Sequence, residues 1–345
     1  MALRFPRFQR FVLRGPLIWR ISSLARFMNA AIAVAARRLT HGPLLPSWCF
    51  EHEFTTYFFR AQCDVAYGLA SAGRIAECRQ AIDSLVFRMP ALRQVRSAPE
   101  RAGPVPGQWF VAAKPGPVGL YFHGGGYCLY PAITNNLIAA LTAAVGGRCF
   151  VPNYRLAPEH LFPAQLEDAR QCYRWMLERG VEPTQMFVAG DSAGGHLVLS
   201  LLLALGDARL PMPAAAVAMS PWIDPANSGD SMRANEAFDW MTKDMADLLG
   251  LWAGAGTGRD QPLFRLMSAD LAALPPTLIQ YGQAELFRDM IEQFRTRHAG
   301  AGQITFEAWP DMNHNFQGFG HLVSQSEDAL ARIASFVAGR CAVPG

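Results

Sequence analysis

A serine flanked by small residues, three glycines following a histidine, and an acid and a histidine far downstream could do chemistry together. The sharpest group is Gly190-Asp191-Ser192-Ala193-Gly194, set between a β-rich run at Met186–Ala189 and a helical run over 194–205. Small neighbours allow a strained strand-to-helix turn that exposes the serine hydroxyl, which makes Ser192 the candidate nucleophile. The helix start behind it favours developing negative charge. The second group, His123-Gly124-Gly125-Gly126-Tyr127, directly follows the apolar run Val118–Phe122. Unobstructed glycine amides can converge on an oxyanion, so the N–H groups of Gly124, Gly125 and Ala193 form the candidate oxyanion hole. A phosphate-cradling loop does not fit, because no lysine and no GxxxxGK[ST] pattern follow.

A serine nucleophile needs a base, and the base needs an acid to orient it. Three histidines lie well beyond Ser192: His298, His314 and His321. His298 falls in a helical run and reads as packing. His314 sits in the loop Pro310–Phe316 after the last β-rich run and is the candidate base, with His321 in reserve. For the acid, Glu285 lies just past the run Thr277–Tyr281. Asp289, about one helical turn further on, and Asp311 remain alternatives. Asp191 reads as ordering the nucleophile turn, and His196 as a packed histidine one turn into the following helix. No His, Cys or carboxylate cluster has metal spacing and no dinucleotide fingerprint appears, so no metal and no cofactor are expected.

These residues require elements that bring them to one end of a sheet. From about residue 105, short β-rich runs alternate with helical ones near 133–145, 164–179, 194–205, 286–298 and 325–338. That alternation is the pattern of a mostly parallel sheet covered on both faces. Residues 1–104 read as a helical cap region with a basic arm, showing helical runs at 20–38, 50–66 and 74–86 and no β alternation. Residues 105–345 read as the catalytic domain. The long connection 221–265, with a helix near 241–254, is a candidate second part of the cap. The Pro/Gly-rich stretch Pro99–Gly107 reads as the seam between the two.

The chain has 345 residues, long enough for one large domain carrying a cap. Its formal charge of +3 is misleading, because residues 1–40 hold eight arginines and no acid. Twenty-three basic residues against 28 acidic ones remain, so the body carries −5 and nucleic acid is not expected as a partner. In the arm, arginines alternate with Phe5, Phe8, Phe11, Leu17, Ile18, Trp19, Ile21 and Leu24, and its longest uncharged run is the ten residues Phe27–Ala36. Such a run is too short to span a bilayer. Three readings stay open for the arm: cap helices over the site, an amphipathic segment touching acidic lipid, or a disordered or targeting extension. The seven cysteines form no pairing pattern. The expected location is cytoplasmic, with peripheral membrane contact through the arm as the variant. The sequence leaves the oligomeric state open, a dimer included.

Six segments together resemble the hormone-sensitive-lipase-like branch of the α/β-hydrolases, the microbial carboxylesterases and arylacetamide-deacetylase relatives. They are His123–Tyr127 (HGGGY), Asn153–Asp168 (NYRLAPEHLFPAQLED), Gly190–Gly195 (GDSAGG), Ser220–Asp224 (SPWID), and the Glu285 and His314 loops. The resemblance covers about residues 105–340. It implies an α/β-hydrolase fold with a mostly parallel eight-stranded sheet flanked by helices, a helical cap and cofactor-free ester hydrolysis. It also implies that Asp191 and Asn153–Asp168 are chiefly structural. The family often has aspartate where this chain has Glu285. The expected function is a serine carboxylesterase acting on small-molecule esters with short to medium acyl chains. Deacetylase, aryl amidase or lactonase activity with the same residues is the first alternative, and a non-catalytic small-molecule binding protein the second.

Overall fold

The computed structural model describes residues 10–254 and 261–343. Eight strands form the central sheet: β3 (Val95–Glu100), β4 (Gly107–Ala112), β5 (Val118–Phe122), β6 (Arg148–Pro152), β7 (Met186–Asp191), β8 (Ala215–Met219), β9 (Thr277–Gly282) and β10 (Ile304–Trp309). Their spatial order is β3-β4-β6-β5-β7-β8-β9-β10. The six strands from β6 to β10 run parallel, and β4 alone is antiparallel to both of its neighbours.

β5, β7 and β8 are buried along their whole length, because helices cover both faces of the sheet. Alternate side chains feed two cores. Leu120, Phe122, Val188, Ala216 and Ala218 pack on one side with Leu197 and Leu201 of α6 (Ala193–Asp207). Tyr121, Phe187, Ala189 and Val217 pack on the other side with α4 (Thr134–Val145) and α10 (Ser324–Ala338). The strands stop in register beneath one end of the sheet, where Gly190 pairs with Phe122 and Trp309 with Gly282. Ligands in open α/β sheets bind outside these carboxyl ends.

Over that end lie α1 (Leu17–His41), α2 (Phe50–Ser71) and α3 (Ile75–Ile82), with the antiparallel ribbon of β1 (Arg10–Leu13) and β2 (Leu85–Arg88). Pro16 precedes α1, while Arg38 and His41 sit in its last turn, where cations suit the helix dipole. Glu53 of α2 is fully buried and pairs with Arg37 and Arg38 at 3.3 and 2.9 Å, fastening α1 to α2. A second piece, α8 (Lys243–Gly254), packs Leu249 against Gly126.

Three strands before residue 105 correct the expectation of a β-free N-terminal region. The expected helix 74–86 ends at Ile82, and its apolar tail Leu85-Val86-Phe87 is strand β2. β3 escaped notice because it is an edge strand whose residues after Val95 are mostly exposed, so it shows no apolar alternation. Its Pro99 is tolerated at such an edge. The stretch 99–107 is therefore the β3–β4 hairpin of the sheet, and a division at 104/105 would cut between paired strands.

Candidate active site

β7 ends in Gly190-Asp191, and Ser192 turns the chain into α6 with φ 55° and ψ −120°, a region that non-glycine residues rarely occupy. Its backbone is held on both sides: Ser192 N–H donates to Met219 O at 2.9 Å, and Trp222 N–H donates to Ser192 O at 3.1 Å. The flanking glycines are sterically required. A Cβ on Gly194 would lie 2.0 Å from Phe122 O, and one on Gly190 would lie 2.4 Å from Gly194 O.

His314 stands on the loop after β10, fully buried, with Nε2 2.9 Å from Ser192 Oγ. Glu285 follows β9 and is also fully buried. Its Oε2 accepts from Ser220 Oγ at 2.6 Å and from Gly282 N–H at 2.9 Å. Those bonds leave Oε1 facing His314 Nδ1 at 3.9 Å, an ion-pair separation, and neither atom has a nearer polar partner. A closure of about 1 Å would turn the contact into a hydrogen bond. Burial works against a charged His314, but the facing Glu285 carboxylate and the charges of Asp239 and Asp191 outweigh it and hold the imidazole above its ordinary 6.5.

The alternatives for acid and base lie elsewhere. Asp289 accepts from Ser231 N–H at 2.8 Å and pairs with Arg288. Asp311 offers its backbone carbonyl to Trp48 Nε1. His298 contacts Met267 O, and His321 lies in the 3₁₀ turn Phe316–Leu322. His196 is buried between Tyr127 OH and Phe264 O, and burial brings it down to about 4.

Gly124 departs from its expected role. Its N–H donates to Asp191 Oδ1 at 2.9 Å, so it is not available to an oxyanion. Among the described residues, the amides of Gly125, Gly126 and Ala193 near Ser192 donate to no protein acceptor. Asp191 also accepts from Tyr121 OH at 2.6 Å and from Asn315 Nδ2 at 2.8 Å, linking three loops. Burial raises its carboxyl above the usual range despite the bonds from Tyr121 and Gly124.

The cap grips the histidine loop. Asn313 bonds to His52 Nε2 and Thr56 Oγ1 of α2 and to Phe238 O, while Trp240 Nε1 donates to His314 O at 2.7 Å. Ser220 opens the Ser220–Asp224 motif, which is its signal in the sequence; Asn235 and Asp239 carry none. Above Ser192 lies a cavity of about 140 Å³, bounded by Gly125, Gly126, Phe59, Trp240, Leu249 and Phe287 among others. Of the cap aromatics, Phe59 and Trp240 line it, whereas Phe54 and Phe58 fill the cap's own core. Among the described residues no group of three or more His, Cys, Asp or Glu is placed to hold a metal ion.

Comparison with known proteins agrees with this geometry. A family described as alpha/beta hydrolase fold matches residues 119–318. An acetyl-hydrolase of Streptomyces hygroscopicus is 39% identical over 63% of this chain and 74% of its own length. An esterase of Acinetobacter venetianus is 30% identical over 75% of this chain and 87% of its own. Among solved structures, an esterase from the bacterial hormone-sensitive lipase family superposes with a TM-score of 0.71 at 29% identity, covering 93% of this chain and 99% of that one.

Proposed function

Since the chain belongs to the α/β-hydrolase fold family, in its hormone-sensitive-lipase-like branch, we propose that it hydrolyses short- to medium-chain carboxylic esters with Ser192 as nucleophile, His314 as base and Glu285 as orienting acid. The observation that carries this reading is the 2.9 Å approach of His314 Nε2 to Ser192 Oγ on a strained turn beneath a pocket. His314 takes the serine proton as Oγ attacks the acyl carbonyl, then protonates the leaving alcohol; water attacks the acyl-enzyme through the same base. The oxyanion lies against the amides of Gly125, Gly126 and Ala193, each of which contributes about 3–4 kcal/mol of transition-state stabilisation in comparable sites. Gly126 takes the place first expected of Gly124.

A small acyl group suits the pocket. Its 140 Å³ compares with a core cavity of about 150 Å³ that holds one benzene. The acetyl-hydrolase relative points the same way. On this reading the cap comprises residues 10–94 together with 221–254. The test is a p-nitrophenyl ester series from C2 to C16. Turnover peaking at or below about C6 is expected, and a maximum at C12 or longer would overturn the acyl assignment.

A second observation bears on where the enzyme works. Leu17, Ile18, Ile21, Leu24, Met28, Ile32 and Leu39 form one exposed stripe along α1, whose 25 residues are long and apolar enough to cross a bilayer yet pack on the cap. The stripe suits peripheral contact with a lipid surface, and the exposed Arg14 and Arg20 beside it favour an anionic one, whereas Arg26, Arg37 and Arg38 are engaged within the cap. Co-sedimentation with phosphatidylglycerol vesicles, weakened by Ile21→Glu with Met28→Glu, is the expected result. A concentration-dependent dimer that ignores vesicles would assign the stripe to a second copy instead.

A further inference from the structure

The segment 231–240 touches both loops of the candidate triad. Asn235 Nδ2 donates to Glu285 O at 2.8 Å, and Ser231 Oγ donates to Leu286 O at 2.7 Å. Asp239, 1% exposed, accepts from Leu286 N–H through Oδ2 at 2.9 Å and from Trp240 N–H through Oδ1 at 2.7 Å. Trp240 in turn donates its indole N–H to His314 O. One buried carboxylate thus holds the peptide after Glu285 with one oxygen, and with the other holds the residue that grips His314.

We propose that Asp239 is a positioning residue of this enzyme, bracing the acid loop against the base loop and adding a negative charge behind His314. The inference rests on the Ser192–His314–Glu285 reading given above. Asp239 does not touch Ser192 and its role runs through other residues, so it is not itself catalytic. Several features favour a charged brace over a simple turn cap. One oxygen accepts from Leu286 N–H on the acid loop and the other from the N–H of the next residue, Trp240, which ties the 231–240 segment to that loop. The carboxyl is also kept where burial opposes its charge: burial brings it up to about 6, against the charge of His314 and the Leu286 bond. The groups facing the pair are few. Glu285, Asp191 and Asp239 act on His314. Asp239 feels His314 and Glu285, with Arg60 of α2 bonded to its backbone carbonyl and to that of Glu236. Removing the negative charge of any of these acids makes the protonated base less favourable.

The experiment is the pH profile of kcat/KM for p-nitrophenyl butyrate, with thermal melting, on the full chain and on Asp239→Asn, Trp240→Phe and Ser192→Ala. Asp239→Asn keeps the shape and one acceptor but loses the charge. It is expected to displace the acid limb toward lower pH and to lower the plateau roughly tenfold, short of the ~100-fold that a 1 Å misplacement costs, with KM little changed. Trp240→Phe removes the arm onto His314 and leaves the carboxylate, so the rate falls while the limb stays in place. An unmoved limb in folded Asp239→Asn overturns the proposal. If that variant fails to fold, Trp240→Phe carries the test, and a rate within about twofold of wild type overturns the brace. Retained turnover in Ser192→Ala would instead sink the triad reading itself, which separates the two failures.

Discussion

Asp191 offers the sharpest perturbation, because one side chain holds three parts of the site in place. Its Oδ1 takes Tyr121 OH and Gly124 N–H, and its Oδ2 takes Asn315 Nδ2, next to His314. Asp191→Ala leaves three donors without an acceptor, two of them on fully enclosed groups. Each orphaned donor costs about 1–3 kcal/mol, and the released carboxylate, which burial disfavours, returns part of the loss, for a net destabilisation of about 3 kcal/mol. Gly124 begins the glycine turn and Asn315 adjoins the base, so their release misplaces both by a fraction of an ångström to 1 Å. kcat/KM should fall about 100-fold. Asp191→Asn is the discriminating control. Its amide oxygen still serves Tyr121 and Gly124, and its NH₂ group can meet Asn315 Oδ1, which has no partner at present, once that amide turns over. The cost should stay near 1 kcal/mol. Urea unfolding followed by tryptophan fluorescence, together with p-nitrophenyl butyrate kinetics, reads both quantities. The reasoning is refuted if the alanine variant matches wild type, or if the asparagine variant is damaged as badly as the alanine one.

Two further outcomes follow from the same geometry. Gly194→Ala places a carbon 2.0 Å from Phe122 O and should destabilise by about 3 kcal/mol while displacing the oxyanion loop; Gly195→Ala meets Pro221 Cβ at 3.1 Å and should cost under about 1 kcal/mol. Equal melting temperatures for the two would contradict the close approach of α6 to β5. For pH, His314 must be neutral to accept the serine proton, so kcat/KM rises with pH through a pKa held above 6.5, and the acid limb lies on the high side of free imidazole. Glu285→Gln removes the nearest negative charge. It should move that limb toward acid and lower the plateau; a limb that stays in place would show that Glu285 does not govern the base.

The parts of the site that were legible in the sequence are those whose chemistry is local. Ser192 is announced by glycines that only a tight strand-to-helix crossing requires, and the clash distances at Gly190 and Gly194 show the reason. Strands β5 to β9 are readable because helices bury both of their faces, leaving continuous apolar runs. β3 was not, since an edge strand with mostly exposed side chains has no alternation to display. The choice of Glu285 over Asp289 turns on a few ångströms: one faces His314 across 3.9 Å, and the other is taken up by Ser231 and Arg288. Gly124 was misjudged because spacing along the chain cannot reveal that Asp191, 67 residues away, captures its N–H. Asp239 acts through contacts that fold topology alone creates, so no pattern near it points to its role. The arm's three readings narrow in the same way. Glu53 with Arg37 and Arg38 ties α1 into the cap, while the face of α1 turned away from the cap stays apolar and exposed.

The central claim is that Ser192, activated by His314, forms a covalent acyl-enzyme. Incubation with a fluorophosphonate, proteolysis and mass spectrometry of the peptide spanning Gly190–Gly194 tests it most directly. One stoichiometric adduct on Ser192 is expected, formed at least about 100-fold more slowly in His314→Ala and absent from Ser192→Ala, with ester turnover lost in parallel. An adduct on another residue, or undiminished ester turnover after Ser192 is fully modified, would contradict it.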